Sequence, residues 1–227
     1  MSFDASQLII GHRGAAGLVP ENTLPSFLKA ASYGVDAIEL DVYWVHDRLW
    51  VIHDDTLDRT TNGRGRLADH SVSQILALDA GAGARIPTLE EVLDQLPRDI
   101  GINVELKGPG TAQPVCNALS AYPDHDFLIS SFDHAELGEF CAVKGGKKHR
   151  VAPLFGRWKN DACKTAAGFD AWSGNLSAKA ATDERLQEIQ VAGFKSLVYT
   201  VNDVQVGGRL FEAGASGLFT DYPDRFA

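Results

Sequence analysis

Short apolar runs that end in polar residues alternate along this chain with stretches of helical spacing, the pattern of a parallel sheet whose strands are joined by helices. The strand candidates are LIIGH (8–12), DAIELDV (36–42), GINVELK (101–107), DFLISS (126–131), RVAPLF (150–155), FDAWSG (169–174), KSLVYTV (195–201) and SGLFTD (216–221). Helical spacing fits between them. Leu24, Phe27, Leu28 and Ala31 fall at i, i+3, i+4 and i+7, and Gly34 is placed to end that helix. Thr88 to Glu91 reads as a capping box ahead of Leu89, Val92, Leu93 and Leu96. Asp133 is positioned to cap a helix carrying Leu137, Phe140 and Cys141. Leu186 and Ile189 mark another, ended by Gly193, and Asp203 opens the last, ended by Gly214.

Residues 43–86 break this rhythm. VYWVHDRLWVIHDD alternates like a β-hairpin, and the glycine-bearing TTNGRGRL follows it, so the segment reads as an insertion on the face that carries the strand C-termini. No low-complexity linker or short repeat divides the chain, which predicts one domain over residues 1–227. Eight strand candidates with helices between them predict a (β/α)₈ barrel with a small insertion after the second strand. An open doubly wound sheet is the alternative, but no GxGxxG follows any strand candidate.

The chemistry sits at the strand ends, where parallel α/β folds carry their sites. His12-Arg13 ends the first strand, Glu39-x-Asp41 lies on the second, His53-Asp54 ends the hairpin and Glu105-x-Lys107 ends the next strand. Residues two apart on a strand share a face, so Glu39 and Asp41 point the same way, as do Glu105 and Lys107. Three carboxylates brought together repel and take up protons unless a cation neutralises them. An all-oxygen set favours a hard divalent cation, Mg²⁺ or Ca²⁺ with Mn²⁺ as a third choice, over Zn²⁺. Ion pairs to Lys or Arg are the structural alternative. His12 and His53 beside such a cluster suggest an acid and a base. His46, His70, His125, His134 and His149 stand in polar contexts and read as surface residues. Arg13 and Lys107 suit a phosphate or an anionic transition state, or else plain salt bridges. Asn22 or Thr23 can cap the first helix, while Glu21 and Asn22 are also placed to line the site.

The net charge of −9 and the pI near 5.2 exclude the basic footprint that nucleic acid or an anionic membrane surface requires. Cys116, Cys141 and Cys163 have no CxxC spacing and read as reduced thiols. MSFDASQLII has neither a basic region nor a long apolar stretch, and no segment approaches a membrane span. A cytoplasmic protein without stable membrane insertion is expected.

Taken in order, these motifs resemble the glycerophosphodiester phosphodiesterases. GHRG (11–14), PENT (20–23), ELD (39–41), HDDTLDRTTNGRG (53–65), PTLEEVL (87–93), ELK (105–107), SSF (130–132), YTVN (199–202) and TDYP (220–223) are similar to that family's landmarks along nearly the whole chain. The resemblance implies a (β/α)₈ barrel, a divalent cation on Glu39, Asp41 and Glu105, and catalytic roles for His12 and His53. It places Arg13, Glu21, Lys107, Tyr199 and Asn202 at the substrate, with Tyr199 standing where the family often has Trp. The implied reaction is hydrolysis of a small glycerophosphodiester to sn-glycerol 3-phosphate and an alcohol. The compact length resembles cytoplasmic bacterial members, and a homo-oligomer stays open. Two rivals are a phospholipase-type lyase that stops at a cyclic phosphate and a catalytically silent binding protein.

Overall fold

The computed structural model of the protein describes residues 3–227; the first two residues of the N-terminal stretch read above lie outside it. The strands in chain order are β1 (Leu8–Gly11), β2 (Ala37–Val45), β3 (Arg48–Val51), β4 (Gly101–Leu106), β5 (Phe127–Ser131), β6 (Arg150–Phe155), β7 (Ser173–Ser177), β8 (Lys195–Tyr199) and β9 (Gly217–Thr220). All but β3 pair in parallel, and β1 joins both β2 and β9, so eight strands close into a barrel. The helices are α1 (Leu24–Ser32), α2 (Val72–Leu76), α3 (Leu89–Gln95), α4 (Ala112–Leu119), α5 (His134–Ala142), α6 (Ala162–Gly168), α7 (Asp183–Val191) and α8 (Val204–Glu212). This is the (β/α)₈ architecture that the alternating pattern predicts. No helix among the described residues is long and apolar enough to cross a membrane.

Alternation along each strand sorts its residues between two environments. On β2 and β4 the outward set, Ile38, Leu40, Val42, Ile102, Val104 and Leu106, packs against Phe27, Leu93, Val115 and Leu137 of the surrounding helices. The inward set changes character with height. Leu8, Ala37, Leu128, Ala152 and Leu197 close the lower end of the barrel under Phe3. Glu39, Asn103 and Ser130 lie buried above them, with Asp41 and Glu105 higher still. An apolar floor thus supports a polar upper interior, and the site is built on rigid strands.

The hairpin read from VYWVHDRLWV forms as expected. β3 runs antiparallel to the second half of β2, Val42 opposite Val51 and Val45 opposite Arg48. Trp50, Leu57, Leu67, Ile75 and Ile86 make a separate small core under the insertion. Thr88 ties this unit to the barrel: it bridges to Trp50 and caps α3 in a reciprocal box with Glu91. Thr88→Ala is expected to cost about 1 kcal/mol and to lower Tm by about 2–4 °C in a protein of this size. An unchanged thermal melt, followed by circular dichroism, would show that the cap contributes nothing.

Four expectations need correction. Strand β7 begins at Ser173 and not at Phe169, because Phe169 is the C-cap of α6 and Asp170 turns the chain at φ 52°. Helix α6 was not legible, since ACKTAAG is short and carries little apolar periodicity. Leu28 is 44% exposed and so stands off the buried stripe of α1, which Phe27 and Ala30 form. His125 is buried and not a surface residue: its Nε2 lies 3.3 Å from the Leu93 carbonyl, and its ring packs near Phe127. His149 is half-buried, its ring near those of Phe127 and Phe140.

Candidate active site

The turn after β1 sets the first group of side chains. Arg13 takes the left-handed conformation at φ 51°, followed by Gly14 at φ 83°. A side chain at Gly14 would run into Ser26, with a Cβ 2.5 Å from its Oγ. That hydroxyl accepts from the Ala15 N–H and donates to the Arg13 carbonyl, both at 2.9 Å. An ordinary residue held at positive φ stores strain that the surroundings must overcome, a common property of functional turns. Here the Arg13 N–H donates to Glu39 Oε2 at 2.8 Å, and its guanidinium reaches Glu21 at 2.8 Å and Asp41 at 3.3 Å.

Thr23 is the cap of α1, which frees Asn22 for another task. Asn22 is buried and also left-handed, at φ 55°, and its Nδ2 donates to Asp41 Oδ2 at 2.8 Å.

Register brings the acids together. Asp41 lies beside Glu105 across the β2–β4 ladder, and Glu39 beside Asn103. Ligand oxygens of Glu39, Asp41 and Glu105 lie within 4.8 Å of one another, and all three residues are buried. Burial, followed by repulsion from Asp41 and Glu105, drives the Glu39 carboxyl well above the usual range. Burial and Asp41 raise Glu105 as well, against the opposing pull of Lys107. Lys107 Nζ sits 2.8 Å from Glu105 and 3.6 Å from Asp41. Asp41 Oδ1 nevertheless has no hydrogen bond while almost wholly buried. A buried carboxylate oxygen without a hydrogen bond is costly. An all-oxygen trio in which burial and mutual repulsion hold Glu39 and Glu105 above the usual carboxylate range, with one oxygen of Asp41 outside any hydrogen bond, is a donor set that fits a hard divalent cation.

Each histidine is backed by an aspartate. His12 Nδ1 lies 2.7 Å from Asp221 Oδ1, and His53 Nδ1 lies 2.5 Å from Asp54 Oδ1. An ionised carboxylate only accepts, so Nδ1–H donates in both pairs and each Nε2 is left for other work. Asn202 stands behind Asp221, donating to its Oδ2 and accepting its N–H, each at 2.8 Å. Burial pushes Asp221 up, but its bonds to His12 and Asn202 outweigh this and hold it below the usual range. Arg59 and His53 hold Asp54 at about 2. His53 itself lies below its ordinary value, first through burial and then through Arg13 and Lys107, against the pull of Asp41 and Asp54.

Arg59 fixes the insertion over the site. Its Nε donates to Asp54 at 2.6 Å, and its two terminal nitrogens donate to the two oxygens of Glu21 at 2.8 Å. Glu21 is therefore held between Arg13 and Arg59.

His12, Arg13, Glu39, His53, Glu105 and Tyr199 line one cavity of about 190 Å³. Its other wall is apolar and includes Phe132, Leu154 and Phe219. Tyr199 donates to the Phe155 carbonyl at 2.9 Å and presents its ring edge-on to Phe132. Of the residues read from the sequence, Glu21, Asp41, Lys107 and Asn202 are absent from the cavity lining and bear on it through Arg13, Glu105 and the Asp221–His12 pair. Asp54, Arg59 and Asp221 were not assigned roles in that reading. Asp54 follows His53 directly, and Asp221 ends the last strand in TDYP, so position alone could have marked both.

A buried acidic trio and two aspartate-backed histidines thus meet at the end of a (β/α)₈ barrel where such folds carry their active sites. The glycerophosphoryl diester phosphodiesterase family model matches residues 12–225. The chain is 35% identical to the glycerophosphodiester phosphodiesterase of Caldanaerobacter subterraneus, over 96% of this chain and 95% of that one. It is 33% identical to a glycerophosphodiester phosphodiesterase of Bacillus subtilis, over 96% of this chain and 85% of that one. Among solved structures, a phosphodiesterase from Oleispira antarctica in complex with the product sn-glycerol-3-phosphate superposes with a TM-score of 0.91 at 28% identity, covering 96% of this chain and 94% of that one. The chain belongs to the glycerophosphoryl diester phosphodiesterase family, a family of phosphoric diester hydrolases.

Proposed function

We propose that this protein, acting as one barrel domain, hydrolyses glycerophosphodiesters to sn-glycerol 3-phosphate and the free alcohol, with a divalent cation on Glu39, Asp41 and Glu105 and with His12 and His53 exchanging protons with the substrate. The observation that carries this reading is the single cavity shared by both histidines, Glu39, Glu105 and Arg13. When bound by Glu39, Asp41 and Glu105, Mg²⁺, Ca²⁺ or Mn²⁺ would supply positive charge against the negative charge that develops on the phosphate. The product named in the Oleispira complex supports the same substrate class. The three free cysteines suit a reducing compartment such as the cytoplasm.

The residues divide the work as follows. A glycerophosphodiester carries a nucleophile of its own, the 2-hydroxyl next to the phosphoester. His53 is depressed below its ordinary pKa and so is neutral near pH 7, the form that accepts a proton. It takes the hydroxyl proton as the oxygen bonds to phosphorus. The bond from phosphorus to the alcohol oxygen breaks, and His12 gives that oxygen a proton. The guanidinium of Arg13, fixed by Glu21 and Asp41, offsets charge on the five-coordinate phosphorus. A five-membered cyclic phosphate results. The histidines then swap roles as water opens the ring. Asp54 and Asp221 keep both imidazoles oriented throughout.

The direct test is coupled detection of glycerol 3-phosphate released from a panel of diesters. Accumulation of cyclic phosphate alone would favour the lyase reading, and no turnover of any diester with metal present would favour a binding protein. A second experiment separates intramolecular attack from direct attack by water. Well-oriented intramolecular groups reach effective molarities of about 10⁵ M or more. A propane-1,3-diol phosphodiester with the same head group lacks the 2-hydroxyl and is expected to turn over at least about 10²-fold more slowly. Equal rates on the two substrates would mean that water attacks phosphorus directly.

A further inference from the structure

A second cavity adjoins the apolar wall of the catalytic one. Phe132 and Leu154 line the catalytic cavity, and the same two residues line the second, of about 330 Å³. That second space lies over the loop joining β6 to α6, on the face that carries the strand C-termini, and it is larger than the catalytic cavity itself. Phe132 is 48% exposed and stands between the two, edge-on to Tyr199 with ring centres 5.7 Å apart. Phe155 lines the second cavity and is packed between the rings of Trp158 and His134.

The charges there run against the rest of the protein. Arg157 and Lys159 both line the second cavity and both are exposed. Among the described residues neither has a carboxylate partner. Asp161 is the acid that lines this cavity, and the nearby Glu188 is occupied by the Trp158 N–H at 3.2 Å. The lining therefore carries a net positive charge on a chain whose total is −9. Unpaired cations beside a ligand cavity call for an anion.

We propose that this second cavity receives the alcohol half of the diester and selects alcohols that bear a second anionic group, such as a phosphorylated polyol. The inference rests on the phosphodiesterase reading above and extends it to the head group. With the scissile phosphate among Arg13, His12 and His53, an alcohol directed over Phe132 reaches the space lined by Arg157 and Lys159. An exposed aromatic ring by itself would also suit a quaternary ammonium. Two unpaired cations behind the ring repel such a group and attract a phosphate.

A matched pair of substrates tests this. Glycerophosphoinositol 4-phosphate differs from glycerophosphoinositol by one phosphate on the alcohol half. At low ionic strength the wild-type enzyme should prefer the phosphorylated diester by roughly tenfold in kcat/KM, read as glycerol 3-phosphate release, and salt should shrink the preference. The double variant Arg157→Glu/Lys159→Glu should abolish or invert the ratio, and its thermal melt checks that it folds. Equal kcat/KM for the pair in the wild type, or a ratio unmoved by the double variant, would overturn the proposal. Titration calorimetry with inositol 4-phosphate against inositol, on wild type and double variant, tests the cavity without turnover. Preferential binding that the variant loses supports the anionic pocket even if no diester is cleaved, an outcome that would count against the phosphodiesterase reading alone.

Discussion

Replacing either histidine is expected to lower kcat by about 10²-fold or more, and replacing both should cost little beyond the worse single variant. The reason lies in the shared reaction step. In the proposed mechanism, proton removal from the nucleophile and proton delivery to the leaving oxygen occur around one phosphorus, so losing either stalls the same transition state. The pH profile adds a signature that a structural role would not give. His53 sits below its ordinary value of 6.5, chiefly through burial. As pH falls through that depressed value, His53 takes up a proton and can no longer accept one, so kcat/KM should drop on the acid side. Activity should hold near neutral pH and fall again when the proton donor is lost, giving a bell. His53→Ala should lower the plateau and erase the acid limb. Asp54→Asn leaves the ring present but removes the carboxylate that orients Nδ1–H, and it should reduce kcat more than it changes KM. Near-wild-type turnover by His53→Ala would remove this residue from the chemistry.

Removal of divalent metal is expected to abolish activity outright, with Mg²⁺, Mn²⁺ or Ca²⁺ restoring it. Three buried carboxylates within 4.8 Å of one another cannot all stay ionised without a counter-charge, and Arg13 and Lys107 leave one oxygen of Asp41 without a hydrogen bond. Protons compete with the cation for these oxygens. Because Glu39 and Glu105 are raised above the usual carboxylate range, affinity for Mg²⁺ should strengthen as pH rises and should be accompanied by proton release. Saturating metal at about 100 times Kd is worth about 2.7 kcal/mol of folding stability, or a Tm gain of roughly 5–10 °C. Glu39→Gln should lose that gain and the activity together. Its metal-free form should melt no lower than metal-free wild type, because the amide removes a repelling carboxyl. Calorimetry and elemental analysis check both statements. Full turnover by a preparation shown to contain no metal would end the cation reading.

Much of this was legible in one dimension. Apolar runs that finish in HR, ExD, HD and ExK mark strands whose last inward positions are polar, and strand periodicity puts Glu39 with Asp41 and Glu105 with Lys107 before any coordinates are considered. The capping box at Thr88 and the caps at Asp133 and Asp203 are local hydrogen bonds between near neighbours, so the sequence determines them as well. The barrel follows from the alternation of the two periods. Partnerships between distant segments could not be read this way. Asp221 reaches His12 across 209 positions of sequence because β9 closes the ring against β1. Arg59 reaches Glu21 across 38 positions because the hairpin folds back over the mouth. His125 looks like a surface residue in the polar surroundings of AYPDHD, yet α3 lays the Leu93 carbonyl beside it and buries it. Strand β7 starts late because α6 and the turn at Asp170 take the residues before it. Sequence spacing fixes what a residue does within its own element, where geometry repeats every two or 3.6 residues. Which elements meet depends on closing the barrel, and only the tertiary structure could decide that His12 faces Asp221, that Arg59 clamps Glu21, and that Phe132 divides the catalytic cavity from the one holding Arg157.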